Sequence, residues 1–169
     1  MRKPTGTASM RLDPHVWGVL EDRGVSVSPI APAAPLNGPL PGVKFSMGSG
    51  EVNPTGNGEA SFPGGIRLEN DEGAFIELTH PRGTIPHGRV DFAVKTSNGN
   101  SAQRVQAFEY SLVNTLEVAP LELSFAIHDT QLKATQDFAD LIADVLDVAA
   151  VDAGDVFAIA SAEFGLKKA

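Results

Sequence analysis

The chain has 169 residues with a formal net charge of −8, no cysteine, 42% hydrophobic and 20% charged residues. That length fits one domain with its own core, the composition excludes a disordered chain, and the missing cysteine excludes disulfides, thiolate metal sites and cysteine nucleophiles. The acidity repels phosphate backbones and anionic lipid, and no apolar run approaches the roughly 18 residues of a spanning helix, so neither nucleic acid binding nor membrane insertion is expected.

The chain contains 17 Gly and 12 Pro, which cut it into short elements and favour β architecture. Met1-Arg2-Lys3-Pro4 carries two charges with no apolar stretch behind them, so it does not read as a signal peptide. The chain is expected to act where it is made or to begin after a removed signal. Ala8, Met10 and Leu12 alternate with Thr7, Ser9 and Arg11 as a half-buried strand over 5–12. Asp13 offers an N-cap and Pro14 a first helical position for a helix over 14–23 with Val16, Trp17 and Leu20 on its apolar face. Gly24 suits a left-handed end, and Val25 and Val27 begin the next strand.

From 29 to 42 the sequence is rich in proline and free of charge until Lys44, which predicts an extended arm without regular structure. Val43, Phe45 and Met47 form a strand, and Gly48 to Gly58 reads as a polar loop. Short alternating strands follow at 58–62, 65–70, 74–79, 89–96, 104–112 and 115–127. Turns at Asn70-Asp71-Glu72-Gly73 and Ser97-Asn98-Gly99-Asn100 join two pairs of them. Leu121, Leu123, Phe125 and Ile127 make the last strand the clearest. Thr135 caps a helix to 148 with Phe138, Leu141, Ile142, Val145 and Leu146 on one stripe, and a strand over 155–164 closes the chain. The two ends share one pattern, strand, capped helix, Gly, strand, over 5–28 and 121–164. The fold class is therefore mainly β, a β-sandwich or barrel-like domain over 1–169 with two short helices. The expected core is Trp17, Leu20, Phe45, Phe92, Leu123, Phe125, Phe138, Leu141 and Val145.

The stretches Gly6 to Pro14, Gly24 to Ala33, Gly65 to Leu68 followed by Ile76 to Thr79, Phe138 to Leu146 and Gly154 to Ala160 resemble actinobacterial proteins related to the haem-transport-associated (HtaA) domain. The resemblance implies a β-rich fold, a secreted or surface-anchored setting and, in haem-binding members, a tyrosine iron ligand with a histidine near it. Tyr110 is the chain's only tyrosine and lies mid-chain in Phe108-Glu109-Tyr110-Ser111-Leu112, away from the N-terminal part where that ligand is expected. Its alternation with Phe108 and Leu112 puts its ring into packing, so haem is not expected there and no cofactor is assigned.

Catalytic and metal signals are sparse. His80 and His87 flank two prolines and read as loop residues, His15 stands alone, and His128 beside Asp129 lacks a nucleophile pattern. Val151-Asp152-Ala153-Gly154-Asp155 is the best acidic loop for Ca²⁺, with few ligands for one. No catalytic, cofactor or metal residue is assigned, and an enzyme is not expected. The main expectation is an assembly protein, either a virion decoration or cement-type component or a surface component. Its partner would be protein, a second copy or a larger lattice, and it would dock through Ile30, Pro32, Pro35, Leu36, Leu40 and Pro41 of the arm. The alternative is an extracellular HtaA-like domain that binds a ligand such as haem.

Overall fold

A computed structural model describes residues 5–52, 58–85, 87–99, 101–112, 115–119 and 124–165. In chain order these form β1 (Thr5–Leu12), α1 (Pro14–Asp22), β2 (Ser26–Ile30), β3 (Ala34–Pro35), β4 (Gly42–Val52), β5 (Gly58–Ser61), β6 (Gly65–Glu69) and β7 (Phe75–Ile85). Then follow β8 (His87–Thr96), β9 (Ser101–Ser111), β10 (Leu116–Ala119), β11 (Ser124–Ala134), α2 (Gln136–Leu146) and β12 (Val156–Gly165).

The strands pair antiparallel in the order β7-β5-β4-β1-β12-β11-β9-β8, and β8 pairs back onto β7. The sheet is thus a closed barrel of 8 strands, which settles the choice between sandwich and barrel. β5 and β6 share one side of β7, β5 along Arg82–Ile85 and β6 along Phe75–Thr79, and β2 extends the sheet beyond β6.

Both helices begin as the sequence predicts. Asp13 Oδ2 accepts from His15 N at 3.0 Å and Val16 N at 3.2 Å, and Pro14 opens α1. Gly24 follows the helix at φ 72°. Thr135 Oγ1 accepts from Phe138 N at 3.2 Å at the start of α2, which Asp147 ends in the left-handed region. The buried stripe of α2 is Phe138, Ala139, Ile142 and Leu146. Leu141 and Val145 beside it are half-buried, and Trp17 of α1 and Phe125 of β11 are half-buried as well. The core list holds fully for Leu20, Phe45, Phe92 and Phe138, while Leu123 lies outside the described residues.

Three strands run further than their alternation suggests. β4 continues through Gly48 to Val52, where a polar loop was expected, β7 crosses His80-Pro81, and β11 runs on through His128 to Ala134. Each contains a register slip next to a non-glycine residue at positive φ: Met47 at 61°, His80 at 52° and Asp129 at 49°. A β-bulge sets two residues against one, which lets a proline sit in the strand without breaking the ladder. The single strand expected over 115–127 is instead β10 paired with β11, Leu116 opposite Ile127.

The proline-rich arm lies on its own barrel. β3 pairs with Val43 and Lys44, Leu36 N donates to Gly42 O at 3.0 Å, and Leu12 N donates to Pro41 O at 3.0 Å. Arg11 clamps it, donating to Leu40 O at 2.7 Å and Asn37 O at 2.9 Å. The arm thus carries the short strand β3 where none was expected, and its first residues, Pro29 and Ile30, belong to β2, with Ile30 opposite Gly65. Ala33 is buried, and Pro32 and Pro35 are exposed.

Candidate functional site: the barrel interior and the pocket outside its wall

Aromatic side chains fill the two ends of the barrel. Phe92, Phe108, Phe138 and Phe157 are fully buried beneath α2, with Phe138 and Phe157 ring centroids 4.9 Å apart and Phe108 and Phe138 5.1 Å apart. A second group runs Phe45, Phe62, Phe164, Phe125 at centroid distances of 5.7, 5.6 and 5.0 Å. Between the groups lies an apolar cavity of about 120 Å³, lined from all the barrel strands. Its walls carry Ala8, Ala60, Gly83 and Ala160 where larger residues would close it.

Three polar side chains on this wall, Thr130, Tyr110 and Ser161, are bonded within the protein. Thr130, 2% exposed, has its Oγ1 2.6 Å from Thr115 Oγ1. Tyr110 lines the cavity with Phe108 and Leu112, as its alternation predicts, and its hydroxyl donates to the Thr84 carbonyl. The ring folds across Gly88, its partner on β8, where a Cβ would stand 2.4 Å from Tyr110 Cζ. Burial pushes the Tyr110 phenol up to about 12, offset in part by its hydrogen bonds to Thr84.

Outside the same wall is a pocket of about 260 Å³ lined by Ser49, Ser61, His80, Arg82, Arg104 and Phe62, with Pro63 at its side. Along β7, His80 and Arg82 line this outer pocket while Pro81 and Gly83 line the interior. Asp91 joins the two arginines: its carboxylate accepts from Arg82 at 3.2 Å and from Arg104 Nε at 2.5 Å. Arg104 also donates to the His80 carbonyl at 2.6 Å, and Glu59 lies 3.6 Å from Arg82. Phe62 lines both spaces, and its ring lies against Gly48, where a Cβ would meet it at 2.2 Å.

The histidines singled out in the sequence do not converge on one point. His15 is exposed on α1, His80 sits on the β7 bulge, and His128 is exposed with Nε2 3.3 Å from Glu117 Oε2; the His87 side chain lies outside the described ones. Among the described residues no three His, Cys, Asp or Glu are grouped to hold a metal. In the acidic loop, Asp155 Oδ2 accepts from Asp152 N at 3.1 Å and so closes a turn. Sequence reasoning missed Phe62, Arg82 and Arg104. The available signal was the alternation His80, Pro81, Arg82, Gly83, obscured by reading that stretch as a loop.

No protein-family model and no curated protein matches the chain. Solved structures do match. The C-terminal domain of HtaA from Corynebacterium glutamicum aligns with a TM-score of 0.73 and 18% identity over 98% of this chain and 99% of that one. A domain-swapped dimer of a variant of that domain aligns with a TM-score of 0.65 and 18% identity, covering 90% of this chain and 88% of the other. The haem-binding protein HtaB from the same organism aligns with a TM-score of 0.58 and 9% identity over 96% of each chain. The fold is HtaA-like.

Proposed function

We propose that the chain is a non-enzymatic ligand-binding barrel that works outside the cell and holds a small apolar molecule in its interior. The cavity supports this reading. An unfilled apolar space of about 120 Å³, at about 24 cal/mol per Å³, costs the fold about 3 kcal/mol. A chain with phenylalanines at both ends of the barrel could fill it with larger residues in place of Ala60 and Ala160. Drug-sized ligands occupy about 300–1,000 Å³, so the occupant is compact, one aromatic ring or a short alkyl chain. An engineered apolar cavity of about 150 Å³ stays dry and takes benzene. The extracellular setting rests on the HtaA-like fold and the sequence resemblance. A virion role has no support from the matched structures.

The test is a titration with toluene, which is one ring and a methyl group, followed by amide NMR. Shifts concentrated at Ala60, Tyr110 and Ala160 are expected. Shifts confined to the outer surface, or none, would overturn the reading.

Haem is the second reading, favoured because HtaB, a structural neighbour, is a haem-binding protein. The residues described do not fit a tyrosinate-held haem. Tyr110 is occupied by the Thr84 carbonyl, its phenol is pushed up to about 12, and the cavity beside it is about 120 Å³. Hemin titration decides: a Soret shift that disappears in Tyr110→Phe would replace the apolar-ligand reading with haem. Docking of Ile30, Pro32, Pro35, Leu36, Leu40 and Pro41 on a second copy is a separate proposal. It has less support, because Arg11 and β4 already hold the arm on its own barrel.

A further inference from the structure

The outer pocket sits in a chain of net charge −8 yet gathers His80, Arg82 and Arg104 around two serines. Asp91 and Glu59 pair with its arginines. Asp91, 18% exposed, is shared between both guanidinium groups, so one carboxylate meets two cations. Glu59 is 54% exposed and 3.6 Å from Arg82 Nε, a contact that solvent weakens. Each guanidinium already gives Nε and one terminal nitrogen to Asp91 or the His80 carbonyl, so a ligand carboxylate would meet the other terminal nitrogens and the Ser49 and Ser61 hydroxyls that line the same space.

The second observation is Phe62. Its half-buried ring is a wall of this pocket and of the interior cavity at once. It is seated by packing alone, against Gly48, Phe45 and Phe164. A ligand reaching past that ring would have its apolar end in the cavity and its other end among Arg82, Arg104 and His80.

We infer that the ligand is an amphipathic monocarboxylate, an aryl- or alkyl-carboxylic acid whose apolar end occupies the barrel and whose carboxylate is held by Arg82 and Arg104 beside Phe62. This rests on the interior cavity being a ligand site.

The experiment compares 4-phenylbutyrate with 4-phenylbutanol by isothermal titration on the whole chain, in the unmodified protein and in Arg82→Gln and Arg104→Lys. The acid should bind about tenfold or more tightly than the alcohol, as a charge-assisted pair predicts. That preference should fall to near parity in Arg82→Gln, with the loss falling on the acid far more than on the alcohol. Arg104→Lys keeps the charge beside Asp91 but loses the planar guanidinium and its joint bonds to Asp91 and the His80 carbonyl, and should lose most of the preference. Equal binding of acid and alcohol by the unmodified protein overturns the carboxylate assignment and leaves the cavity reading standing. Failure of both to bind overturns the cavity reading itself. Acid binding that survives Arg82→Gln and Arg104→Lys unchanged also overturns the assignment, by placing the carboxylate elsewhere.

Discussion

Filling the cavity should stabilise the protein and abolish binding together. Ala160 lies on β12 opposite Met10 of β1 and Thr130 of β11, and it lines the interior. Ala160→Val adds two carbons to a strand position that favours a β-branched residue. At about 0.8 kcal/mol per buried methylene the transfer gain is about 1.6 kcal/mol. Imperfect fit reduces this to about 1 kcal/mol, well inside the ceiling of about 3 kcal/mol that the whole void of about 120 Å³ sets. With a urea slope of about 2 kcal/mol/M, the unfolding midpoint should rise by about 0.5 M at unchanged slope. The same variant should lose toluene binding, since the new methyl groups occupy the ligand's space. A midpoint that falls by as much would show that the side chains already fill this volume, and the argument for an interior ligand would fail with it.

The other predictions concern the helix stripe, the tyrosine and the arm. Ile142→Ala should cost about 2–5 kcal/mol and Leu141→Ala about 1–2 kcal/mol in urea unfolding, because Ile142 is 0% exposed while Leu141 is half-buried; equal costs would show that the stripe is rotated. The folded protein keeps the Tyr110 proton to about pH 12 and the unfolded chain releases it near 10. The unfolded state therefore binds fewer protons in that window, and stability should fall as pH rises from 10 through about 12. Tyr110→Phe should remove that part of the decline in a pH series of denaturant melts, and an identical decline in both proteins would refute the buried, neutral phenol. Replacing 31–40 with a Gly-Ser linker should leave a monomer about 2–4 kcal/mol less stable, through loss of the Arg11 bonds and the β3 pairing. Unchanged stability with a smaller particle by light scattering would instead mean that the arm ties copies together.

Local chemistry made the helices and turns legible. Asp13, Pro14, Gly24 and Thr135 act within a few residues of themselves, and so do the turn residues Asn70 and Gly99, whose geometry answers to their own backbones. The bulges hid the rest. Period-two reading assumes one phase along a strand, and each bulge shifts it. In β4 the buried positions run Val43, Phe45, Gly48; in β11 the cavity side runs Phe125, Ile127, Thr130, Leu132; in β7 Leu78 is followed by Pro81 and Gly83. Each slip ends the apparent strand early, so in sequence β4 and β7 read as loops over about half their length. Closure was out of reach for another reason. It depends on β8 meeting both β7 and β9, a property of pairing across the whole sheet. The cavity is less legible still, since small residues such as Ala60 and Ala160 signal nothing until the opposite wall is known.

One bulge explains why the interior and the outer pocket meet where they do. Without the slip at His80, β7 would keep the phase of Ile76 and Leu78, and the next inward residue would be His80. An imidazole would then face a wall whose Tyr110 and Thr130 hydroxyls are already bonded, and burying it there would carry a desolvation cost. The slip turns His80 and Arg82 outward and gives the interior Pro81 and Gly83 instead. Gly83 leaves room for the Tyr110 hydroxyl, 3.0 Å from where a Cβ would stand, and that phenol in turn stays neutral and bonded to Thr84. The same local geometry therefore engages Tyr110 with Thr84 and sets His80 and the Arg82 guanidinium directly outside the apolar wall. The HtaA-like fold supplies the walls, while the phase of each strand decides what faces them.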